Sequence, residues 1–452
     1  MSHRLSGIAA QLYEGIKDTP ILSPHGHCDP SWFATDQAFA DPAQLLVIPD
    51  HYVFRMLYSQ GIPLEKLGIG GVAYDPRAVF QIFADNWHLF LGTPSHVWIE
   101  FVLYQTLGVD ILTPETANTV YDQIAAKLKL PEYRPRALYK RFGIEALATT
   151  DSALDDLAHH STSIDADWGG KIVPTFRPDG VLDPNDPQFS ANIEKLAEVS
   201  GQDTNSLEGY LTALRQRREF FKSCGATATD HAIEVVHTEW IEKADLETLY
   251  QRVKSNPTPD EAARFYGHML IEMAQMSLDD GLVMQLHAGS RRNTNAAILD
   301  RFGRDMGADI PVATEWVRGL DALLNRVGND PRLTLILFTL DEATYARELA
   351  PMVGHWPCLR LGPPWWFHDS AAGIARYFDN VVETAGYYNL AGFNDDTRAF
   401  LSIPARHDLW RRGVAAHLAL MVNKRYFGIR DAEILADQLT IGLARKTYQM
   451  EP

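Results

Sequence analysis

Cysteine is scarce in this chain: three residues in 452, at positions 28, 224 and 358. They lie far apart and none belongs to a C-x-x-C pair. That excludes a disulfide framework and suits a reducing compartment, so a cytoplasmic protein is expected. Long apolar runs are also lacking. No stretch approaches the roughly 18 residues a membrane span needs, and Met1-Ser2-His3-Arg4-Leu5 has no signal-peptide apolar core. Basic residues are outnumbered, 41 against 58 acidic ones, for a net charge of −17. Such a surface repels a phosphate backbone, so no nucleic acid and no membrane is expected as a partner. An anionic small substrate would need a local arginine or metal site. Also absent is the Gly-rich turn that opens a dinucleotide-binding, doubly wound sheet.

What is present is ordinary globular material, 46% hydrophobic and 22% charged, enough for a large core. The chain is organised around Pro24-His25-Gly26-His27-Cys28-Asp29-Pro30, which follows the short apolar run Pro20-Ile21-Leu22-Ser23. Side chains alternate along a strand, so two histidines at i and i+2 point the same way and can reach one cation. Residues 28–140 are rich in aromatics and read as helices, with Thr113-Pro114-Glu115-Thr116 opening one of them. A connection this long is a helical insertion rather than a loop. Strand–helix alternation then runs through 144–151, 171–177, 225–231, 282–287, 333–338, 358–362 and 387–393. With 20–27 this makes eight strands, and the expected fold is α/β, a closed parallel (β/α)8 TIM-type barrel. Residues 1–27 and 141–452 would form it. Polar residues gather at the carboxyl ends of these strands, the catalytic face of such a barrel.

His25, His27 and Asp396 make an N,N,O metal set that leaves a position open for substrate or water. Asp396 also suits a helix cap, and Asp395 competes with it. His287 reads as a fourth ligand or a substrate donor. The His51-Tyr52 pair lies in the insertion and, taken alone, would be packing. Arg177 and Arg398 carry the planar fork that suits a carboxylate, though either could form a structural ion pair. Trp365-Trp366 could floor a sugar pocket or fill the core. Asp230-His231 could support the site from behind. The fourth strand ends Thr229-Asp230-His231, without the Lys or Glu that bridges two metals, so one metal is expected.

Together these motifs resemble uronate (glucuronate) isomerase, an outlying family of the amidohydrolase superfamily. The matches are His25-Gly-His27, Asp50-His51-Tyr52 with Arg55, Pro174-Thr-Phe-Arg177-Pro-Asp179, Thr229-Asp230-His231, Gln285-Leu-His287-Ala-Gly-Ser-Arg-Arg292-Asn, Trp365-Trp366-Phe367-His368-Asp369, and Asp396-Thr-Arg398-Ala-Phe400-Leu-Ser402 followed by Arg406-His407. The resemblance implies a distorted barrel, one divalent metal, usually Zn2+, and isomerisation of D-glucuronate or D-galacturonate to the ketose. It places metal ligands on His25, His27 and Asp396, and substrate contacts on His51, Tyr52, Arg177, His287, Trp366 and Arg398. For the chemistry, Asp396 would serve as base and Tyr52 as proton shuttle. His51 and Arg398 would grip the C6 carboxylate, and Arg177 and His287 the sugar hydroxyls. A mononuclear metal-dependent hydrolase on the same barrel is the alternative activity, and a homo-oligomer is expected. The chain departs from the family at Leu46-Val47-Ile48-Pro49. It departs again at Asp395, which would put an extra negative charge beside the metal.

Overall fold

The computed structural model describes residues 5–166, 168–365 and 368–451. Eleven short strands are present among them: β1 Ile21–Ser23, β2 Ile144–Ala148, β3 Asp151–Ser152, β4 Ile172–Val173, β5 Phe176–Arg177, β6 Ala228–Ile233, β7 Val283–Ala288, β8 Ser290–Arg291, β9 Ile310–Pro311, β10 Leu335–Thr339 and β11 Leu359–Leu361. Two parallel sheets carry the fold, in the orders β1-β2-β4 and β11-β10-β7-β6-β5-β3. β8 and β9 form a small antiparallel pair. The protein is thus α/β with parallel sheets.

Two of the segments expected as single strands serve both sheets. The stretch 144–151 breaks at Thr149-Thr150, and 171–177 breaks at Pro174-Thr175. Pro174 has no N–H for a ladder. Backbone bonds bridge the break, from Thr149 N–H to the Val173 carbonyl (2.9 Å) and from Asp151 N–H to the Thr175 carbonyl (3.0 Å). The segment 387–393 is not a strand. Tyr387–Asn389 is a 3-10 turn, and pairing is reduced to one parallel bridge between Leu361 and Leu390. The chain leaves extended geometry at Gly392, whose φ of +87° disfavours other residues. A Cβ there would lie 2.4 Å from the backbone nitrogen of Ala444.

Period-two alternation sorts the strand residues onto two faces. Met284 and Leu286 of β7 enter the large outer core with the flanking helices. Val283 enters a second cluster with Leu22, Ala146, Val173, Ala228, Ile336, Phe338 and Ala391, drawn from nearly every parallel segment. Ile441, Ala444, Tyr448 and Met450 close the far side of that cluster. Gln285 and His287 share the face of Val283, and Asp230 shares the face of Ala228. The polar ends of β6 and β7 therefore emerge together.

Only helices and turns lie between β1 and β2 among the described residues. They bury their own cluster, including Phe33, Phe54, Phe80, Phe83 and Ile124, onto Phe400, Leu401 and Ile403. The helix expected to open at Pro114 starts at Ala117 instead. Thr113 and Thr116 exchange hydrogen bonds (2.8 and 3.2 Å) and fold the preceding residues into a turn. Asp50 caps the helix His51–Ser59, its carboxylate accepting from the Tyr52 N–H at 2.9 Å. That cap places His51 and Tyr52 in the first turn.

Several buried groups make stability depend on pH. Burial pushes His25, His160, His231 and His417 down to about 4, and His51 to about 3, from an ordinary 6.5. Between those values the unfolded chain binds protons that the folded chain refuses, so stability is lost as pH falls below 6.5. Burial pushes the Asp151 and Asp369 carboxyls up to about 7, which works in the opposite sense. Burial also raises the Asp50, Asp183 and Asp309 carboxyls and lowers His368 and His407, so seven imidazoles stand against five carboxyls. The thermal midpoint should fall by several degrees between about pH 6.5 and about pH 4.5 in differential scanning calorimetry; a midpoint that stays level would show that these histidines titrate normally.

Candidate active site

The carboxyl ends of the parallel strands open into a cavity of about 1230 Å3. This exceeds the usual span of small-ligand pockets, about 300–1,000 Å3. His25, His27, His51, Tyr52, Arg177, Asp230, His287, Asp396 and Arg398 all line it. The sequence thus foretold a set of residues that the fold gathers from six separate segments. Trp366 lies outside the described residues. Its neighbour Trp365 lines the cavity and packs edge-on against His287, with ring centroids 5.1 Å apart.

At the floor, donor atoms of His25, His287 and Asp396 lie within 4.8 Å of one another. The His25 and His287 rings stack at 4.8 Å, and Phe338 stacks against both, 4.2 Å from His287 and 6.3 Å from His25. Asp396 faces His25 Nε2 at 3.6 Å and His27 Nε2 at 3.1 Å. His287, read from the resemblance as a sugar contact, therefore groups with the prospective metal donors. His27 stands beside them, bonded to the same carboxylate. Asp396 adopts a positive φ of 39°, a conformation that costs a non-glycine residue free energy and tends to persist at functional sites.

The donors suit a cation. Burial keeps the His25 imidazole neutral at working pH, as a ligand must be. Burial alone would raise the Asp396 carboxyl, but the imidazoles of His25 and His27 outweigh it and hold Asp396 well below the usual range. His287 Nδ1 is fixed by Asp230 at 2.7 Å. Its Nε2 is buried, with no hydrogen-bond partner among the described residues. A histidine oriented by a carboxylate on one nitrogen and aimed inward with the other is the usual pose of a metal ligand. Two nitrogens and one oxygen with room beside them fit a single catalytic divalent ion.

Asp230 does more than its strand position suggested. It also receives Arg177 Nη1 at 3.3 Å, while Arg177 Nε is held by Asp179 at 2.8 Å. Burial would raise Asp230, yet His287 and Arg177 hold it well below the ordinary value. His231, paired with it in the sequence reading, alternates to the other face. Its Nε2 meets Thr229 Oγ1 at 3.1 Å, and it is absent from the cavity lining.

Asp395 also turns away. Its carboxylate meets His407 Nε2 at 3.1 Å, and its carbonyl accepts from Arg406 at 3.1 Å. The expectation of an extra negative charge beside the metal therefore fails, because the backbone turn at Asp396 sends consecutive side chains to opposite sides. Arg406 belongs to the last of the sequence motifs. It is buried against Asp369 (2.7 Å) and lies 3.4 Å over the Trp98 ring and 5.5 Å from Tyr52. Tyr52 in turn meets Trp98 edge-to-face at 5.4 Å. Burial raises the Tyr52 hydroxyl well above its usual value, so it stays protonated.

In the same cavity, Arg398 Nη2 pairs with Asp305 at 3.1 Å. Burial, then the Arg398 charge, lowers His51 and keeps it neutral. Asp305 went unnoticed in the sequence, since nothing in Gly303-Arg304-Asp305-Met306-Gly307 marks it as more than a turn.

The glucuronate isomerase family profile matches residues 4–442. A uronate isomerase of Rhizorhabdus wittichii is 52% identical over 445 residues, covering 98% of this chain and 95% of that one. The crystal structure of glucuronate isomerase from Caulobacter crescentus superposes with a TM-score of 0.97 at 50% identity, over 98% and 94% of the two chains. That of a uronate isomerase from Thermotoga maritima gives 0.93 at 27% identity, over 99% and 100%. The chain belongs to the glucuronate isomerase family.

Proposed function

We propose that this chain is an aldose–ketose isomerase of uronates, interconverting D-glucuronate and D-fructuronate, D-galacturonate and D-tagaturonate, or both pairs. The observation that carries the reading is one cavity lined both by a metal-suited cluster and by the Arg398 guanidinium. An open-chain sugar acid has the matching groups, a carbonyl with its neighbouring hydroxyl and a carboxylate.

A divalent ion, zinc on the strength of the N,N,O donor set, would be held by His25, His287 and Asp396 with His27 beside them, and would polarise the sugar oxygens as a Lewis acid. The chain's own groups supply the rest. Arg398 and His51 receive the C6 carboxylate through charge-assisted bonds, favouring uronates over neutral sugars. Arg177 orients hydroxyls from the side wall. Asp396, ionised throughout the working range, takes the C2 proton and returns it to C1. Tyr52, neutral and buried, relays the hydroxyl proton between O1 and O2. Arg406, Trp98 and Asp369 hold Tyr52 in place from behind.

The same reading treats the two parallel sheets as one distorted (β/α)8 barrel. Residues 1–27 and 141–452 form the catalytic domain, and 28–140 a helical cover. Two features support it. One hydrophobic cluster draws on nearly every parallel segment. The His27 N–H also reaches the Thr397 carbonyl at 3.0 Å, joining the first segment to the last. No helix among the described residues is long and apolar enough to cross a membrane, and all three cysteines are free and buried, which supports a cytoplasmic location.

Two measurements test this. Asp396→Asn should retain its circular dichroism spectrum while kcat on D-glucuronate and D-galacturonate falls by about 10²-fold or more; near-normal turnover would remove Asp396 from the proton transfer. Asp230→Asn should weaken metal binding by about 10–100-fold, because His287 loses the partner that orients it. Titration against a chelating dye reads this directly, and an unchanged affinity would take His287 out of the metal set.

A further inference from the structure

The charged groups around the cavity are almost all committed to partners. Arg177 is held by Asp179 and Asp230 (2.8 and 3.3 Å), and Arg292 is paired with Asp309 at 3.3 Å. Arg398 has a different kind of partner. Asp305 sits on the turn that follows the helix Ala296–Phe302, outside the parallel strands, and its carboxylate meets Arg398 at 3.1 Å and Arg292 at 4.0 Å.

That turn is built to hold the carboxylate there. Gly303, Asp305 and Gly307 all have positive φ, at +85°, +63° and +72°. The Asp305 N–H donates to Asn293 Oδ1 at 3.1 Å. Arg304, next in line, reaches across to Asp186 at 2.9 Å. Gly307 rests on the helix that carries His51: a Cβ there would lie 3.0 Å from Arg55 Cβ and 3.2 Å from the His51 carbonyl. The backbone thus presents Asp305 to Arg398 beside His51, where the proposed reading puts the substrate carboxylate. Both members of the pair are partly exposed, 46% for Asp305 and 39% for Arg398. An ion pair so open to water is weak and exchanges readily.

We propose that Asp305 is a specificity-determining residue, a built-in carboxylate that competes with the substrate carboxylate for Arg398. The inference rests on the reading of Arg398 as the carboxylate receptor. A ligand with only a carboxylate gains little, because it exchanges one anion for another. A neutral sugar leaves the Asp305–Arg398 pair intact and gains nothing at that end. A uronate, anchored also at the metal end, wins the exchange. Binding therefore selects for a carboxylate and a carbonyl at the correct separation, and simple carboxylates are turned away.

The test is steady-state kinetics of the metal-loaded enzyme with Asp305→Asn, which suits the left-handed backbone because asparagine tolerates that conformation. Removing the competing charge should lower KM for the uronate by roughly two- to five-fold, the worth of an exposed ion pair. Acetate should leave the parent enzyme unaffected and become a competitive inhibitor of the variant. An unchanged or raised KM, or continued indifference to acetate, overturns the proposal. Arg398→Lys separates the two readings. If it leaves KM for the uronate unaltered, Arg398 is not the carboxylate receptor. If it raises KM while Asp305→Asn fails to lower it, only the role of Asp305 is lost.

Discussion

A buried carboxylate, Asp396, faces imidazoles that arrive from the first strand and from the middle of the chain. Taking such a charge out of water is costly unless partners and hydrogen bonds compensate it. Here His25 and His27 come from the turn after β1, and His287 from the end of β7. Each must be correctly placed for the carboxylate to remain ionised. That requirement ties the first segment to the last, as the bond from His27 N–H to the Thr397 carbonyl makes plain. A left-handed residue stands at 396, where Asp396 faces the cavity and Asp395 is directed to His407.

Outward from this cluster the site is built as a series of paired charges. Asp230 joins His287 to Arg177, because one oxygen holds the imidazole and the other the guanidinium. Removing either contact would leave the remaining groups mispaired in a place where water offers little help. Behind Tyr52, the Arg406–Asp369 pair and the Trp98 ring make a rigid wall from three distant parts of the chain. Around Arg398 the pairing loosens: Arg398 and Asp305 are both partly exposed.

Much of this was legible in residue order. Apolar runs ending in His, Arg or Asp placed the ends of β5 and β7 to within a residue and that of β6 to within two, but β1 stops at Ser23, so the turn after it, and not strand alternation, aims His25 and His27. Alternation separates Asp230 from His231, yet only pairing between β6 and β7 decided which of the two faced the cavity. The segment 387–393 looked like a strand from its apolar content, but its path is set by the close approach of Gly392 to Ala444, a contact between residues remote in sequence. Thr113 and Thr116 bond to each other and delay a helix that Pro114 appeared ready to start. Asp305 carried no signal at all, since its meaning comes from a turn seated on the His51 helix.

The sequence by itself determined the chemistry available: the imidazoles, the acids, the arginine forks and the α/β alternation that sends them to one end of the strands. These follow from side-chain type and local periodicity, which need no distant partner. Tertiary structure alone decided which histidine joins Asp396 and His25, which acid orients it, and which carboxylate waits beside Arg398. Those choices depend on distances between segments separated by hundreds of residues, and no local rule encodes such distances.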